Sequence, residues 1–301
     1  EHKNSSHVER KPLRKLFRWT LGIFAFFFAA AVMGGLMQKE WKNSNSEIAL
    51  VHVNGMLMDS TEIVRQLSKY RRDPKIKAII IRIDSPGGAV APAQEIYDEI
   101  NKVKDSNKIV YASLGSVAAS GGYYIACATN YVIANPGTLT GSIGVIMAFN
   151  NMEELANKVG VRPRVIKSGA FKDSGSPLRS MKPEERKLLQ NVVDDVHQQF
   201  VKAVSVGRNL PQDDVKLFAD GRVMTGKQAL EFKLIDEFGG LEKTKEILGK
   251  KIGVVGHPSV IEEKEDVPFM DWLMKSVVSK NLTQAFSPAP APLLQYLWYP
   301  Q

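Results

Sequence analysis

Residues 77–88 read KAIIIRIDSPGG, and this stretch narrows the fold more than any other in the chain. A short apolar run without polar alternation describes a strand covered on both faces, as in a parallel sheet between helices. Comparable runs stand at 48–55 (IALVHVNG), 108–114 (KIVYASL) and 131–135 (YVIAN). Helical spacing separates them. Ile63, Val64 and Leu67 share one side of 60–69, and Ile96, Tyr97, Ile100 and Val103 share one side of 91–103. Further helices are expected at 151–159, 182–206, 211–218, 227–233 and 241–248, and a last strand at 259–262. Residues 162–177 read as a strand running into a Gly- and Ser-rich loop. Strands alternating with helices predict an α/β domain with a mostly parallel sheet over 47–262.

The ends have a different character. Residues 19–37 (WTLGIFAFFFAAAVMGGLM) carry no charge, and at ~1.5 Å per residue they span about 28 Å, near the thickness of a bilayer core. Six basic and two acidic residues precede them, so the first 18 positions hold +4 of the net +8. That bias predicts a cytoplasmic arm over 1–18, a transmembrane anchor over 19–37 and a polar tether over 38–46, with the body across the membrane. A cleaved signal peptide is the rival reading, since Ala29–Ala31 offers small residues; the apolar run continuing past them favours an anchor. The rest of the positive excess is thinly spread, without the aromatic-interleaved basic stripe of a nucleic-acid binder. Residues 263–301 form an amphipathic segment and a Pro-rich apolar tail containing SPAPAPLLQYLWYP, which reads as partly extended; its apolar end either docks on another surface or packs on its own domain. The single cysteine, Cys127, forms no internal disulfide and reads as a core residue.

Three glycine-bearing loops follow strands: DSPGG at 84–88, ASGG at 119–122 and TGSIG at 140–144. In an open α/β sheet the carboxyl ends of the strands line one crevice, so all three are expected to meet there. Ser120 stands at a strand-to-helix turn, where a nucleophile is exposed beside free backbone N–H groups. The plain alternative is a helix cap. Gly87, Gly88 and Gly121 are candidates to hold an oxyanion through their N–H groups; they serve equally well as ordinary turn residues.

A serine nucleophile needs a base. His2 and His7 lie on the basic arm, His52 falls inside a strand, His197 mid-helix and His257 near a strand end. None is marked as a triad member. Lys172, in SGAFKDSGSP, is the other candidate. A lysine acts as base only when its pKa falls far below the free value of about 10.4, which burial in an apolar site achieves. The bland reading is a solvated surface charge. No His, Cys and carboxylate cluster has metal-ligand spacing, and no cofactor is implied.

Together DSPGG, AASGGYYIA, TLTGSIGV and SGAFKDSGSP, in this order, resemble the signal peptide peptidase A family of membrane-bound Ser-Lys peptidases, in its short single-repeat form, over roughly 47–250. The resemblance implies a Clp protease/crotonase-like fold, a repeated β-β-α spiral with a mostly parallel sheet, behind one N-terminal transmembrane helix. It implies Ser120 as nucleophile, Lys172 as base, Gly87, Gly88 and Gly121 as oxyanion donors, and Ser142 as the residue that orients the base. It further implies a homo-oligomeric ring whose lysine comes from the neighbouring subunit, acting on remnant signal peptides or similar apolar segments at the outer face of the membrane. In related enzymes a C-terminal segment can occupy the substrate groove, and the proline-bearing tail suits that place. Two other classes are weighed beside it. A non-catalytic membrane-tethered ring would not need both Ser120 and Lys172, and the anchor opposes a cytosolic acyl-CoA enzyme.

Overall fold

The structure is a computed structural model that describes residues 47–254, 258–263 and 295–297. The expected arm, anchor and tether, and the amphipathic segment after residue 263, lie outside the described residues. Among the described residues no helix is long and apolar enough to cross a membrane.

The chain opens with β1 (Ile48–Leu57), α1 (Thr61–Arg72), β2 (Ala78–Ala89), α2 (Val90–Asp105) and β3 (Ile109–Ala119). A short helix α3 (Gly121–Ala126) leads to β4 (Tyr131–Ala134) and β5 (Leu139–Gly141). Then come α4 (Glu153–Lys158), the long α5 (Pro183–Arg208), α6 (Gln212–Lys216), β6 (Val223–Thr225) and α7 (Gly226–Glu231). β7 (Glu237–Phe238), α8 (Leu241–Lys251), β8 (Val260–Glu262) and β9 (Gln295–Leu297) complete it. The sheet runs β6-β5-β3-β2-β1-β8, with β4 and β7 branching from β3 and β9 from β2. Pairing is parallel except for β5 with β6 and β9 with β2.

Strand parity explains why both faces are apolar. Side chains alternate along a strand. Ala49, Val51, Val53, Ile79, Ile81, Ile83, Val110, Ala112 and Leu114 enter the larger core with Leu67 of α1, Ile96 and Ile100 of α2 and Phe200 of α5. Ile48, Leu50, Ala78, Ile80 and Tyr111 point the other way, onto Leu248 of α8. Each fully buried isoleucine of β2 contributes about 1.5–3 kcal/mol. Cys127 is a core residue as expected, and burial pushes its thiol up to about 12.

Two features place the site. β3 changes neighbour along its length: Tyr111–Ser113 pair with β4, and Val117–Ala119 pair with β5. β2 does the same. It pairs with β3 as far as Ser85, and beyond that Gly87–Ala89 pair with β9. The sheet therefore opens at the carboxyl ends of β2 and β3. The strand expected to open the 162–177 stretch is absent: residues 162–167 carry no ladder and are exposed. Pro163 has no N–H to donate, and arginines on both sides of it favour solvent over a buried face.

Candidate active site

Ser120 sits in this opening. Its backbone has φ 54° and ψ −116°, a sparsely populated region for a residue with a Cβ. Two hydrogen bonds hold it there. The Ser120 N–H donates to the Gly141 carbonyl at 2.8 Å, and the Ser120 carbonyl accepts from the Tyr124 N–H at 2.8 Å. The first ties the ASGG turn to the TGSIG loop, and the second starts α3. The side chain makes no cap hydrogen bond, so the helix-cap alternative fails on geometry. Ser120 is 1% exposed, and its Oγ has no hydrogen-bond partner among the described residues.

The three loops expected to meet do meet. Ser85 pairs with Ala118 and Ala119 with Gly141 across adjacent strands. A Cβ added to Gly121 would lie 3.2 Å from Gly87 Cα and 3.3 Å from Gly88 N. Gly87 has φ +97°, and a Cβ there would lie 2.6 Å from Gly121 N. The Gly87 N–H already donates to Ser85 Oγ at 3.1 Å, and that hydroxyl donates to the Gly55 carbonyl at 2.6 Å. Ser85 thus pins the turn that brings Gly88 N close to Gly121. Gly87→Ala is expected to lower kcat/KM by about 10²–10³ by displacing these donors. Gly55→Ala is the control: φ is also positive at +69°, but nothing lies within 4 Å of the added methyl. Steady-state rates of both on a peptide check this.

β9 lies in the same opening. It pairs antiparallel with Gly87–Ala89, in the register Gly88 to Tyr296. The Tyr296 carbonyl oxygen would be 2.0 Å from a Cβ on Gly87, so the strand passes against the glycine turn. The Tyr296 ring is fully buried. It stacks on Tyr124 with centroids 5.1 Å apart and lies 4.7 Å from Phe200, and its hydroxyl donates to the Val196 carbonyl at 3.3 Å. Burial raises its phenol pKa, keeping it a neutral donor.

Lys172 is placed differently. Its side chain is exposed, and it does not reach Ser120 Oγ within the chain. The loop beneath it is braced. Met152 N–H donates to the Pro177 carbonyl at 2.6 Å, and the Phe149 ring packs on Gly175, where a Cβ would come within 2.2 Å. Arg179 joins Asp173 to Glu185 in the first turn of α5, and the guanidinium holds the Glu185 carboxyl down at about 2. Around this loop Met152, Leu155, Val159, Val161, Val165, Ile166 and Phe171 are exposed. Ser142, on the TGSIG loop, is buried with φ 50°, its N–H donating to the Arg222 carbonyl at 2.8 Å.

Neither described histidine partners the serine. His52 faces Glu262 at 2.9 Å across β1 and β8, and His197 lies on α5. Sequence reasoning passed over Ser85 and Arg179. Ser85 stands inside the DSPGG motif with nothing to single it out, and Arg179 has no marker beyond its place just after SGSP.

The chain is similar in sequence to known peptidases. The Clp protease family matches residues 42–139, and peptidase family S49 matches residues 102–254. A putative protease of Synechocystis sp. is 45% identical over 205 residues, covering 68% of this chain and 74% of that protein. A putative signal peptide peptidase SppA of Enterococcus faecium is 34% identical over 282 residues, covering 84% and 82%. A chloroplastic serine protease SPPA of Arabidopsis thaliana is 34% identical over 252 residues, 82% of this chain but 36% of that longer protein. A Clp protease-like α/β fold with a serine at its strained strand-to-helix turn is the class to which this molecule belongs, and it is a serine peptidase. Within that class, the chain belongs to peptidase family S49.

Proposed function

We propose that the chain is a membrane-anchored Ser-Lys endopeptidase that cuts remnant signal peptides or similar apolar peptides, as an oligomer whose active sites are shared between neighbours. The observation that carries this is Ser120: a buried hydroxyl at positive φ, without a hydrogen-bond partner among the described residues, beside Gly88 and Gly121. Lys172 supports the shared site. It stands exposed on a braced loop among exposed apolar side chains, the surroundings a second copy would cover. Covering them would also desolvate the amine, which favours its neutral form.

In the reaction, neutral Lys172 takes the Ser120 proton as Oγ bonds to the substrate carbonyl carbon. The negative charge moves to the carbonyl oxygen, held by backbone N–H groups of Gly88 and Gly121. Gly87 shapes this hole, since its own N–H is engaged by Ser85. Lys172 then gives its proton to the departing amine as the C–N bond breaks. Water then bonds to the acyl carbon as neutral Lys172 takes its proton, the acyl C–Oγ bond breaks, and Lys172 returns the proton to Ser120 Oγ. Ser142 is read as the residue that orients the base. The forks in β2 and β3 fit the repeated β-β-α spiral, and the apolar segment 19–37 is read as the anchor, with the catalytic body on the outer side.

The tail strand is read as a peptide held where substrate runs. Its antiparallel pairing with Gly87–Ala89 is β-augmentation, and the Tyr296 pocket of Tyr124, Phe200 and Val196 suits a large apolar side chain. Deleting residues 295–301 is expected to lower the apparent KM for an added peptide about tenfold, because an internal competitor is removed. Unchanged KM and unchanged substrate preference would sink the assignment. The function itself is tested with purified Ser120→Ala and Lys172→Ala proteins on a fluorogenic apolar peptide; parental activity in either one removes the dyad.

A further inference from the structure

The loop that carries Lys172 contains an ion cluster in which Arg179 uses all five of its donors. Nε donates to Asp173 Oδ2 at 3.0 Å. Nη2 donates to the Asp173 carbonyl at 3.0 Å and to Glu185 Oε1 at 2.6 Å. Nη1 donates to Glu185 Oε2 at 2.9 Å and to the Ser180 carbonyl at 3.1 Å. Lys167 closes on Asp173 Oδ1 from the other side and donates to the Ala170 carbonyl at 2.9 Å. Both Asp173 oxygens are therefore engaged by cations, which hold its carboxyl well below the usual range, Arg179 most and Lys167 next.

Asp173 is the residue next to Lys172. A base that must be neutral to accept a proton is poorly served by a free carboxylate one residue away, since an ion pair favours the ammonium form. Helix α5 supplies the rest of the brace. Glu185 is almost fully buried and also accepts from the Lys182 N–H at 3.0 Å. From α4, Glu153 reaches the same loop through the Ser180 hydroxyl at 2.6 Å. Among the described residues, the charged groups that act on Asp173 are thus Lys167 and Arg179 on the loop and Glu185 from α5, while Glu153 of α4 braces the loop through Ser180.

We propose that Arg179 is a positioning residue for the general base: it ties Asp173 to the first turn of α5, so that the carboxylate beside Lys172 is occupied and the amine is left free for Ser120. This rests on the Ser-Lys reading above. Arg179 touches no reacting atom. It acts by keeping Asp173 away from Lys172, and Lys167 shares the task. A simple loop brace would use the same bonds, but it responds differently to removal of the Asp173 charge.

The test uses the assembled full chain with Arg179→Gln, Lys167→Gln, Asp173→Asn and the Arg179→Gln/Asp173→Asn double variant, measured for kcat and KM on a fluorogenic peptide through a pH series. Arg179→Gln is expected to move the acid limb of kcat/KM up by about one pH unit, with kcat on that limb about tenfold lower and KM within about threefold. The double variant returns the limb to the parent position, because a neutral amide does not attract an ammonium group. A brace alone predicts the reverse, the double variant being worse than the single. Lys167→Gln leaves the Arg179–Glu185 pair intact and is expected to move the limb the same way. It decides the question if Arg179→Gln fails to reach the parent's assembled size by light scattering. An unmoved limb in properly assembled variants, or a double variant no better than the single, overturns the proposal. A Lys172→Ala protein as active as the parent removes the base itself; a proven dyad with an unmoved limb removes the role of Arg179 alone.

Discussion

Ser120→Ala is expected to reduce kcat by about 10⁶-fold, the scale on which loss of an activated nucleophile is felt. The fold should survive the change. Ser120 contributes its N–H to Gly141 and its carbonyl to Tyr124, and alanine keeps both groups. Among the described residues its side chain makes no hydrogen bond that alanine would forfeit. Alanine and serine bear similar strain at φ 54°, so the melting temperature should move by no more than a few degrees, about 1 kcal/mol or less. Single-turnover kinetics together with a thermal melt check both halves. A variant that melts normally and still cleaves peptide at the parental rate would remove Ser120 from the mechanism.

Lys172→Ala carries the second large effect, and how the loss is repaired is more informative than the loss itself. With the base removed, the rate is expected to fall about 10⁴-fold or more. Within one chain Lys172 does not reach Ser120 Oγ, and it stands exposed on a loop fixed by Arg179, Gly175 and Pro177. On the proposed reading, this braced and outward-facing loop meets a partner surface. If that is the neighbour's serine, co-assembling equal amounts of Ser120→Ala and Lys172→Ala chains restores activity. In a ring of heterologous contacts, about one quarter of the interfaces then pair an intact serine with an intact lysine. If each chain uses its own lysine, no mixed site is complete and nothing is restored. Rates measured before and after co-assembly, with the assembled mass recorded alongside, separate the two arrangements.

Much of the fold was legible in local pattern. The apolar runs at 48–55, 77–88 and 108–114 became the three central strands because a run covered on both faces has few places to go but the middle of a parallel sheet. The long helix from 182 was marked by Pro183 and the acidic first turn, and Glu185 caps it by accepting the Lys182 N–H. Short strands were harder. β5, β6 and β7 have two or three residues each, too few to show a period, and exist because neighbouring strands supply ladder partners. The strand expected to open 162–177 failed for the complementary reason: Val165 and Ile166 suit a strand, but no described strand pairs with them.

The site divides along the same line. That Ser120 would stand at a turn, and that the DSPGG, ASGG and TGSIG loops would meet, followed from the sequence, because strand ends in an α/β sheet collect at one edge and small residues allow close approach there. What only the tertiary structure decided depends on distance between parts far apart in the chain. The Ser85 hydroxyl is tied to the Gly55 carbonyl 30 residues away, Tyr296 lies against the glycine turn more than 200 residues from it, and the loop of Lys172 is tied to α5 without bringing the amine to Ser120 Oγ. Periodicity and turn chemistry act over a few residues, and a motif records them. Which two distant surfaces touch is set by packing and charge across the whole molecule, and no single segment carries that information.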